Sequence, residues 1–535
     1  MCGILGVYGE EKLDVNLIKS ISSRMSHRGP DEHDFHLFSD NVILTHERLA
    51  IIDLTTGKQP IQGTDKAYVV HNGEIYNHQS LRNNELKNHT FRTTCDSEVI
   101  VHLFEEYGDN FCNMLDGIFT FVVSDGNKFI VGRDPIGVKP LYWGKNANGT
   151  LFFSSELKAI EDQVINLSAF PPGHYFTPEK GLVKYFNPSW EDYSICTEEL
   201  DLVKLRDSLI NATRKRLMSD VPIGVLLSGG LDSSLTSAIA YRELKKIGNT
   251  EELHSFSIGL DENSPDVKAA NEVASFLGTT HHNVYFTVEE GIKILDKLVW
   301  HLETYDVTSI RASTPMYFLS KYIHNLGIKV VLSGEGSDEI FGGYLYFHNA
   351  PNLEEFQKET IRRVQLLSTS DCLRADKSTM AWGIEARVPF LDKSFLEVAI
   401  KIDPKFKQPS KEKNIIEKYI LRKAFDDKEN PWLPENILWR QKEQFSDGVG
   451  YNWIEELMQH CANQISDEEF LTASALFPHN TPTTKEAFYM RRIFHKHYPS
   501  ENAAKTVLKW VPKWQENQDP SGRASKIHEQ TTEEK

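Results

Sequence analysis

Seven residues, Ser228-Gly229-Gly230-Leu231-Asp232-Ser233-Ser234, constrain the fold of this chain more than any other stretch. The apolar run Val221–Leu227 precedes them and suits a strand buried on both faces of a parallel sheet. An amphipathic stretch, Leu235–Leu244, follows. Strand, glycine-rich loop and helix N-terminus together form a cradle of backbone N–H groups for an anion, reinforced by the helix dipole. No Gly-Lys-Ser/Thr closes the loop, so it is not a Walker loop. The same alternation recurs from about Glu198 onward. Strands are expected at Ile223–Leu227, His254–Ile258 and Lys329–Leu332, each followed by a loop and a helical pattern. That order predicts a parallel sheet covered by helices, with ligands at the strands' C-terminal ends. Beyond Tyr344 the pattern is mainly helical.

The first part of the chain reads differently. Short β-runs at Ile4–Tyr8, Val42–Thr45, Tyr68–His71, Ile118–Ser124, Phe129–Gly132 and Leu151–Ser154 are punctuated by helical patterns at Val15–Ser26 and Ser97–Tyr107. A strand-rich α+β domain with helices packed on its sheets is expected over 2–186. A Pro-containing acidic linker follows at 187–197, then the α/β domain at 198–514 and a polar tail at 515–535. At 535 residues the chain has room for two to four domains. A net charge of −17 argues against nucleic acid as a partner. No apolar run approaches the ~20 residues that span a bilayer, and the N-terminal stretch lacks the basic region of a signal peptide. The six cysteines include no C-x-x-C and fit a reducing compartment. Cys95, Cys112, Cys196, Cys372 and Cys461 read as packing residues, and no His/Cys spacing suggests zinc.

Cys2 is the exception among the cysteines. Removal of Met1 would place a thiol and a free α-amine on one carbon, with reference pKa values of ~8.5 and ~7.7–8.0, so proton transfer between them costs little. The thiolate is a nucleophile for an amide carbon. Downstream stand R-L-A-I-I-D (Arg48–Asp53), H-N-G-E (His71–Glu74) and C-D-S-E (Cys95–Glu98). Tyr68, Val69 and Val70 read as a strand entering a sharp turn at Asn72-Gly73. There the Asn72 amide and the Gly73 N–H can both donate to one oxyanion. Arg48 suits an α-carboxylate through its guanidinium fork. Glu74 and Asp96 suit an α-ammonium, although Asp96 is also a candidate N-cap for a helix starting at Ser97. These are the groups a glutamine amidase needs.

Both clusters together resemble the glutamine-hydrolysing asparagine synthetase family. Its members join a class II, N-terminal-nucleophile glutaminase to an ATP-pyrophosphatase synthetase domain, whose S-G-G-x-D-S loop holds pyrophosphate. Further matching strings end at Leu260 (S-F-S-I-G-L), Pro315 (E-T-Y-D-V-T-S-I-R-A-S-T-P), Tyr344 (S-G-E-G-S-D-E-I-F-G-G-Y), Asp392 (C-L-R-A-D-K-S-T-M-A-W-G-I-E-A-R-V-P-F-L-D) and Gly450 (R-Q-K-E-Q-F-S-D-G-V-G). The resemblance implies an α/β multidomain protein: an N-terminal Ntn-type sandwich glutaminase and a C-terminal parallel-sheet domain of the adenine nucleotide α-hydrolase kind. It implies catalytic roles for Cys2, Asn72, Gly73 and Glu335. A glutamine site is implied over Arg48, Leu49, Ala50, Ile51, Ile52, Asn72, Gly73, Glu74 and Asp96. The implied ATP site comprises Leu227, Ser228, Gly229, Gly230, Asp232, Ser233, Ser234, Ile258, Ser333, Gly334 and Lys442, with Mg²⁺ on Asp232 and Asp338. Arg311, Arg374 and Arg387 are candidates for the aspartate α-carboxylate, and spacing does not choose among them.

The implied reaction is ATP-dependent synthesis of asparagine from aspartate with ammonia released from glutamine. It passes through β-aspartyl-AMP and yields AMP, pyrophosphate and glutamate. A dry path between the sites is expected, because ammonia must stay unprotonated to attack. The resemblance further implies a cytosolic homodimer that binds neither nucleic acid nor membrane. Three alternatives share parts of this pattern: a β-lactam-forming synthetase, a non-catalytic nitrogen sensor, and ammonia transfer to a tRNA-bound amino acid. Retention of Cys2, Arg48, Asn72, Glu74 and Asp96, the intact pyrophosphate loop and the acidic balance argue against them in turn.

Overall fold

The computed structural model describes residues 2–248, 251–410, 415–442, 448–450 and 452–515. Twelve strands make up the first part: β1 (Gly3–Tyr8), β2 (Glu32–Phe38), β3 (Val42–Arg48), β4 (Ile61–Gln62), β5 (Tyr68–Ile75) and β6 (Gly117–Ser124), then β7 (Phe129–Arg133), β8 (Tyr142–Lys145), β9 (Leu151–Ser154), β10 (Ser168–Ala169), β11 (His174–Thr177) and β12 (Gly181–Lys184). They form two antiparallel six-stranded sheets, ordered β10-β8-β9-β1-β3-β2 and β12-β11-β7-β6-β5-β4. Apolar residues from both sheets, among them Ile4, Leu44, Val70, Val122 and Phe153, fill the layer between them. A Cβ at Gly6 would sit 2.8 Å from Val122 Cγ1, so glycine there lets the sheets close up. The helix Val15–Ser23 begins at Asp14, whose carboxylate accepts from the Asn16 and Leu17 N–H groups.

Five parallel strands follow: β13 (Ile223–Leu226), β14 (His254–Gly259), β15 (Thr280–Tyr285), β16 (Val330–Leu332) and β17 (Glu385–Arg387), in the order β15-β14-β13-β16-β17. The chain leaves β13 toward β14 on one side and reaches β16 on the other. The loops after β13 and β16 therefore diverge from a switch point and open a crevice, the place where such sheets bind ligands. The three strands read from sequence are present. The edge strands β15 (T-H-H-N-V-Y) and β17 (E-A-R) carry too much polarity to be read as strands.

One local expectation is overturned. Asn72-Gly73 is not a turn, because β5 runs through it with Asn72 opposite Thr120 and Gly73 opposite Phe119. Gly73 has φ +139°, and a Cβ there would lie 1.9 Å from the Ile118 carbonyl oxygen. Close strand approach, rather than chain reversal, demands this glycine.

Buried charge joins the two parts. Arg28 reaches Glu156 at 2.5 Å and Asp376 at 2.9 Å, and Lys377 bridges Glu156 at 3.1 Å and Glu303 at 2.5 Å. Removing one member of such a pair costs about 3–5 kcal/mol, since its partner is left charged and dry. This layer therefore fixes how the two parts meet.

Candidate active sites

Cys2 is buried immediately before β1. Its backbone N–H donates to Asn72 Oδ1 at 2.9 Å, and its carbonyl accepts from Arg28 Nε at 3.0 Å. The thiol lies 3.5 Å from the Leu49 N–H, and burial pushes its pKa up. Asn72 Nδ2 is buried without a hydrogen-bond partner among the described residues, a donor left unspent on the same amide that holds the Cys2 N–H. Arg48, Leu49, Ile51, Ile52, Gly73, Glu74 and Asp96 line the same cleft as Cys2. Ala50 turns elsewhere, giving its N–H to Asp31 at 2.7 Å. The Arg48 guanidinium is braced by Glu32 at 2.5 Å and the Asp53 carbonyl at 2.6 Å.

Asp96 is not the helix cap. Ser97 occupies that position, and Asp96 Oδ2 instead accepts from the Ile75 N–H at 2.7 Å. That bond draws its carboxylate to the end of β5, next to Glu74. Burial raises Asp96 to about 6. Burial also raises Glu74 well above the usual range, with Glu385 adding to the rise and Arg387, 3.0 Å away, opposing it. Two buried acids that resist ionisation are what an incoming cation would relieve.

The second cleft occupies the crevice of the parallel sheet, with a volume near 160 Å³. Leu227, Ser228, Gly230, Asp232, Ser233, Ile258, Ser333, Gly334, Glu335, Asp338 and Lys442 all line it. Gly229 stands behind the loop at φ +73°, where a Cβ would meet Ala269 Cβ at 2.4 Å. Ser234 is fully buried in the helix Leu231–Lys246. The Ser228 and Ser233 hydroxyls face each other at 3.1 Å, and the Gly230 N-cap makes no side-chain bond, so the first-turn N–H groups remain open to an anion.

Charge is concentrated around this loop. Lys418, which the sequence did not single out, binds Asp232 at 2.5 Å and Asp338 at 2.6 Å. Lys442 binds Asp338 at 2.9 Å. After burial, Lys418 and then Lys442 dominate the surroundings of Asp338 and hold its carboxyl well below the usual range. Asp232 Oδ1 has no hydrogen-bond partner among the described residues. Two carboxylates converging on one cation, one of them with an oxygen to spare, fit a hard divalent ion such as Mg²⁺. Burial raises Glu335, and Arg374, 2.9 Å away, counters that rise.

The three candidate arginines separate. Arg374 lines the cleft of the parallel sheet. Arg311 is bound to Glu486 at 2.9 and 2.6 Å and lines a neighbouring cavity. Arg387 lies between the clefts: its side chain meets Glu74 and Glu385, and its carbonyl accepts from the Ser333 N–H at 2.8 Å. Of the R-Q-K-E-Q-F-S-D-G-V-G string, residues 443–447 lie outside the described residues, as do 516–535 of the polar tail.

A buried terminal-region thiol with a waiting amide donor, joined to a parallel sheet with a glycine-serine anion loop, defines an amidotransferase fused to a nucleotide-dependent synthetase. Residues 1–181 match the glutamine amidotransferase domain family, and residues 204–358 and 349–519 match the asparagine synthase family. Glutamine-hydrolysing asparagine synthetase 2 of Oryza sativa subsp. japonica is 52% identical over 553 residues, covering 98% of this chain and 92% of that protein. A probable glutamine-hydrolysing asparagine synthetase of Dictyostelium discoideum is 52% identical over 559 residues, covering 100% of both. The Arabidopsis thaliana synthetase numbered 3 is 51% identical over 549 residues, with 98% and 94% covered. The chain belongs to the glutamine-hydrolysing asparagine synthetases, a family of enzymes. No helix among the described residues is long and apolar enough to cross a membrane.

Proposed function

We propose that this protein makes asparagine from aspartate with ATP, using nitrogen freed from glutamine, through β-aspartyl-AMP. In the first half-reaction, with Met1 removed, the Cys2 thiol attacks the glutamine side-chain amide carbon. Its proton passes to the neighbouring α-amine, which Asn72 Oδ1 orients. The orphaned Asn72 Nδ2 and the Gly73 N–H receive the oxyanion. Ammonia leaves, and water releases glutamate from the thioester. Arg48 takes the α-carboxylate, and Glu74 with Asp96 the α-ammonium.

In the second half-reaction the aspartate β-carboxylate attacks the ATP α-phosphorus and pyrophosphate departs. The Ser228–Ser234 loop, Lys418 and Lys442 hold the departing charge. Mg²⁺ held by Asp232 and Asp338 would supply further neutralisation of the phosphates. Ammonia then attacks the acyl carbon and AMP leaves, with Glu335 taking the excess proton. Arg374, beside Glu335, is the arginine best situated for the aspartate α-carboxylate. A dry route between the clefts keeps ammonia neutral; free mixing of added ammonia with glutamine-derived nitrogen during turnover would rule it out. A cytosolic setting is supported by six buried free thiols, and the family likeness supports a homodimer, which sedimentation velocity tests.

The observation that carries this function is the pairing of a buried Cys2–Asn72 contact with an open Ser228–Ser234 loop in one chain. The test is product stoichiometry. ATP, aspartate and glutamine should yield AMP, pyrophosphate and asparagine in equal amounts. Formation of ADP would refute the proposal.

A further inference from the structure

Away from both clefts, helix Glu98–Tyr107 carries His102 and Glu105 one turn apart, facing the backbone at Thr64-Asp65. Glu105 Oε2 lies 3.1 Å from His102 Nδ1 and 3.9 Å from His89 Nδ1. The Thr64 hydroxyl stands 3.3 Å from His89 Nδ1 and 3.4 Å from His102 Nδ1. One ligand-capable atom from each of His89, His102 and Glu105 therefore falls within 4.8 Å of the others.

The outer edge of each ring supplies an independent observation. His102 Nε2 is 3.4 Å from Glu98 Oε1, and His89 Nε2 is 3.4 Å from Glu106 Oε2. His102 has a carboxylate at both ring edges, so a metal ion would take the place of the Nδ1 proton while Glu98 keeps the one on Nε2, and Glu106 can hold the His89 Nε2 proton in the same way. With the metal bound, the inner face presents two nitrogen lone pairs and Glu105 Oε2, against two donors, the Thr64 hydroxyl and the Thr64 N–H that reaches Glu105 Oε2 at 3.1 Å. That balance favours a cation. Carboxylate–imidazole pairs of this kind are how proteins orient histidine ligands on zinc. Zn²⁺ sits ~2.0–2.1 Å from nitrogen, so tetrahedral ligand atoms stand about 3.3 Å apart. Separations of 3.1 and 3.9 Å already bracket that value, and the third, no more than 4.8 Å, closes toward it by rotation of the half-buried His89 side chain.

We propose that His89, His102 and Glu105 bind one zinc-class divalent ion, with Thr64 or water completing the tetrahedron. The nitrogen-rich donor set favours Zn²⁺, Ni²⁺ or Cu²⁺ over Mg²⁺ and Ca²⁺. The ion pins three separate pieces of chain: the Thr64 loop, the segment holding His89, and the helix that begins two residues after Asp96. It touches no reacting atom, so its role is structural.

The test uses full-length protein carrying Cys2→Ala, which removes the reactive thiol of the first cleft as a competing zinc ligand, stripped with chelator and titrated with ZnCl₂ by calorimetry. One equivalent should bind and raise the melting temperature, and Co²⁺ in its place should show the visible bands of four-coordinate cobalt. His89→Ala with His102→Ala should abolish that equivalent. The milder Glu106→Gln, at an exposed position that keeps the fold, should weaken binding about tenfold through the ring it orients. Absence of a bound equivalent in the parent protein, or equal binding by the double variant, overturns the proposal. So does a cluster that responds to pH alone and not to metal, since the rings are then simply protonated.

Discussion

Replacing Asn72 with alanine removes two interactions that differ in energetic kind. One is the bond from the Cys2 N–H to Asn72 Oδ1, 2.9 Å long in the resting protein. The other is the Nδ2 donor, which is buried and unpartnered at rest. A donor that is already dry and already oriented pays nothing further when charge develops on the substrate oxygen, so its contribution falls almost wholly on the transition state. Loss of one such donor costs about 2.7–4 kcal/mol. At 1.36 kcal/mol per tenfold, glutamine hydrolysis should slow by about 10²–10³ at saturating glutamine. The orphaned Cys2 N–H adds a stability cost of about 1–3 kcal/mol. The assay follows glutamate release, and asparagine formation from added ammonium in parallel. Asn72→Ala should depress the first and leave the second near that of the unmodified protein. Less than a tenfold loss of glutaminase rate, or an equal loss in both assays, would refute the donor argument.

Three other outcomes are expected. Cys2→Ala should eliminate glutamine-supported synthesis and retain ammonium-supported synthesis, checked by measuring asparagine from each nitrogen source. Asp232→Ala should stop pyrophosphate release while glutamate release continues, because the residue lines the parallel-sheet cleft and not the Cys2 cleft. The KM for glutamine should rise as pH falls through about 6, where Asp96 takes up its proton in the ligand-free site. An ammonium ligand binds the ionised form, so each pH unit below that point should raise KM about tenfold, and a flat profile between pH 5 and 7 would contradict it.

The parts of the fold that were legible in the sequence are those where local pattern and tertiary role agree. Strand β13 and its loop could be read because an apolar run, two glycines and an amphipathic helix each report the same geometry. Asn72-Gly73 misled because the pair is the usual signal of a hairpin. In the folded chain its glycine serves strand packing against Ile118, a demand that no local window contains. Strand β17 was invisible for a related reason: in E-A-R both charged side chains are buried, and only partners from other segments make that tolerable. Lys418 was missed because it follows an ordinary charged stretch, and its importance comes from reaching Asp232, 186 positions away. In the cluster of His89, His102 and Glu105, the H-x-x-E pair on one helix is too common a spacing to signal a metal by itself, and His89 comes from another segment.

Arg387 carries the connection between the two chemistries. Its backbone holds the loop after β16 at Ser333, while its guanidinium holds Glu74, one of the two acids proposed for glutamine's ammonium. Substitution by lysine keeps the charge but loses the fork, and one ammonium cannot reach Glu74, Glu385 and the Arg216 and Met218 carbonyls together. Arg387→Lys should therefore differ from Asn72→Ala in kind. Glutamine affinity should fall as Glu74 is left to protonate, and ammonium-supported synthesis should fall with it as β17 loosens beside Ser333. Melting temperature measured alongside separates this from global unfolding, because a loss of 3–5 kcal/mol in a buried ion pair is visible as a shift. If ammonium-supported synthesis survives intact in Arg387→Lys, the strand does not transmit between the clefts, and the charge layer alone must align them.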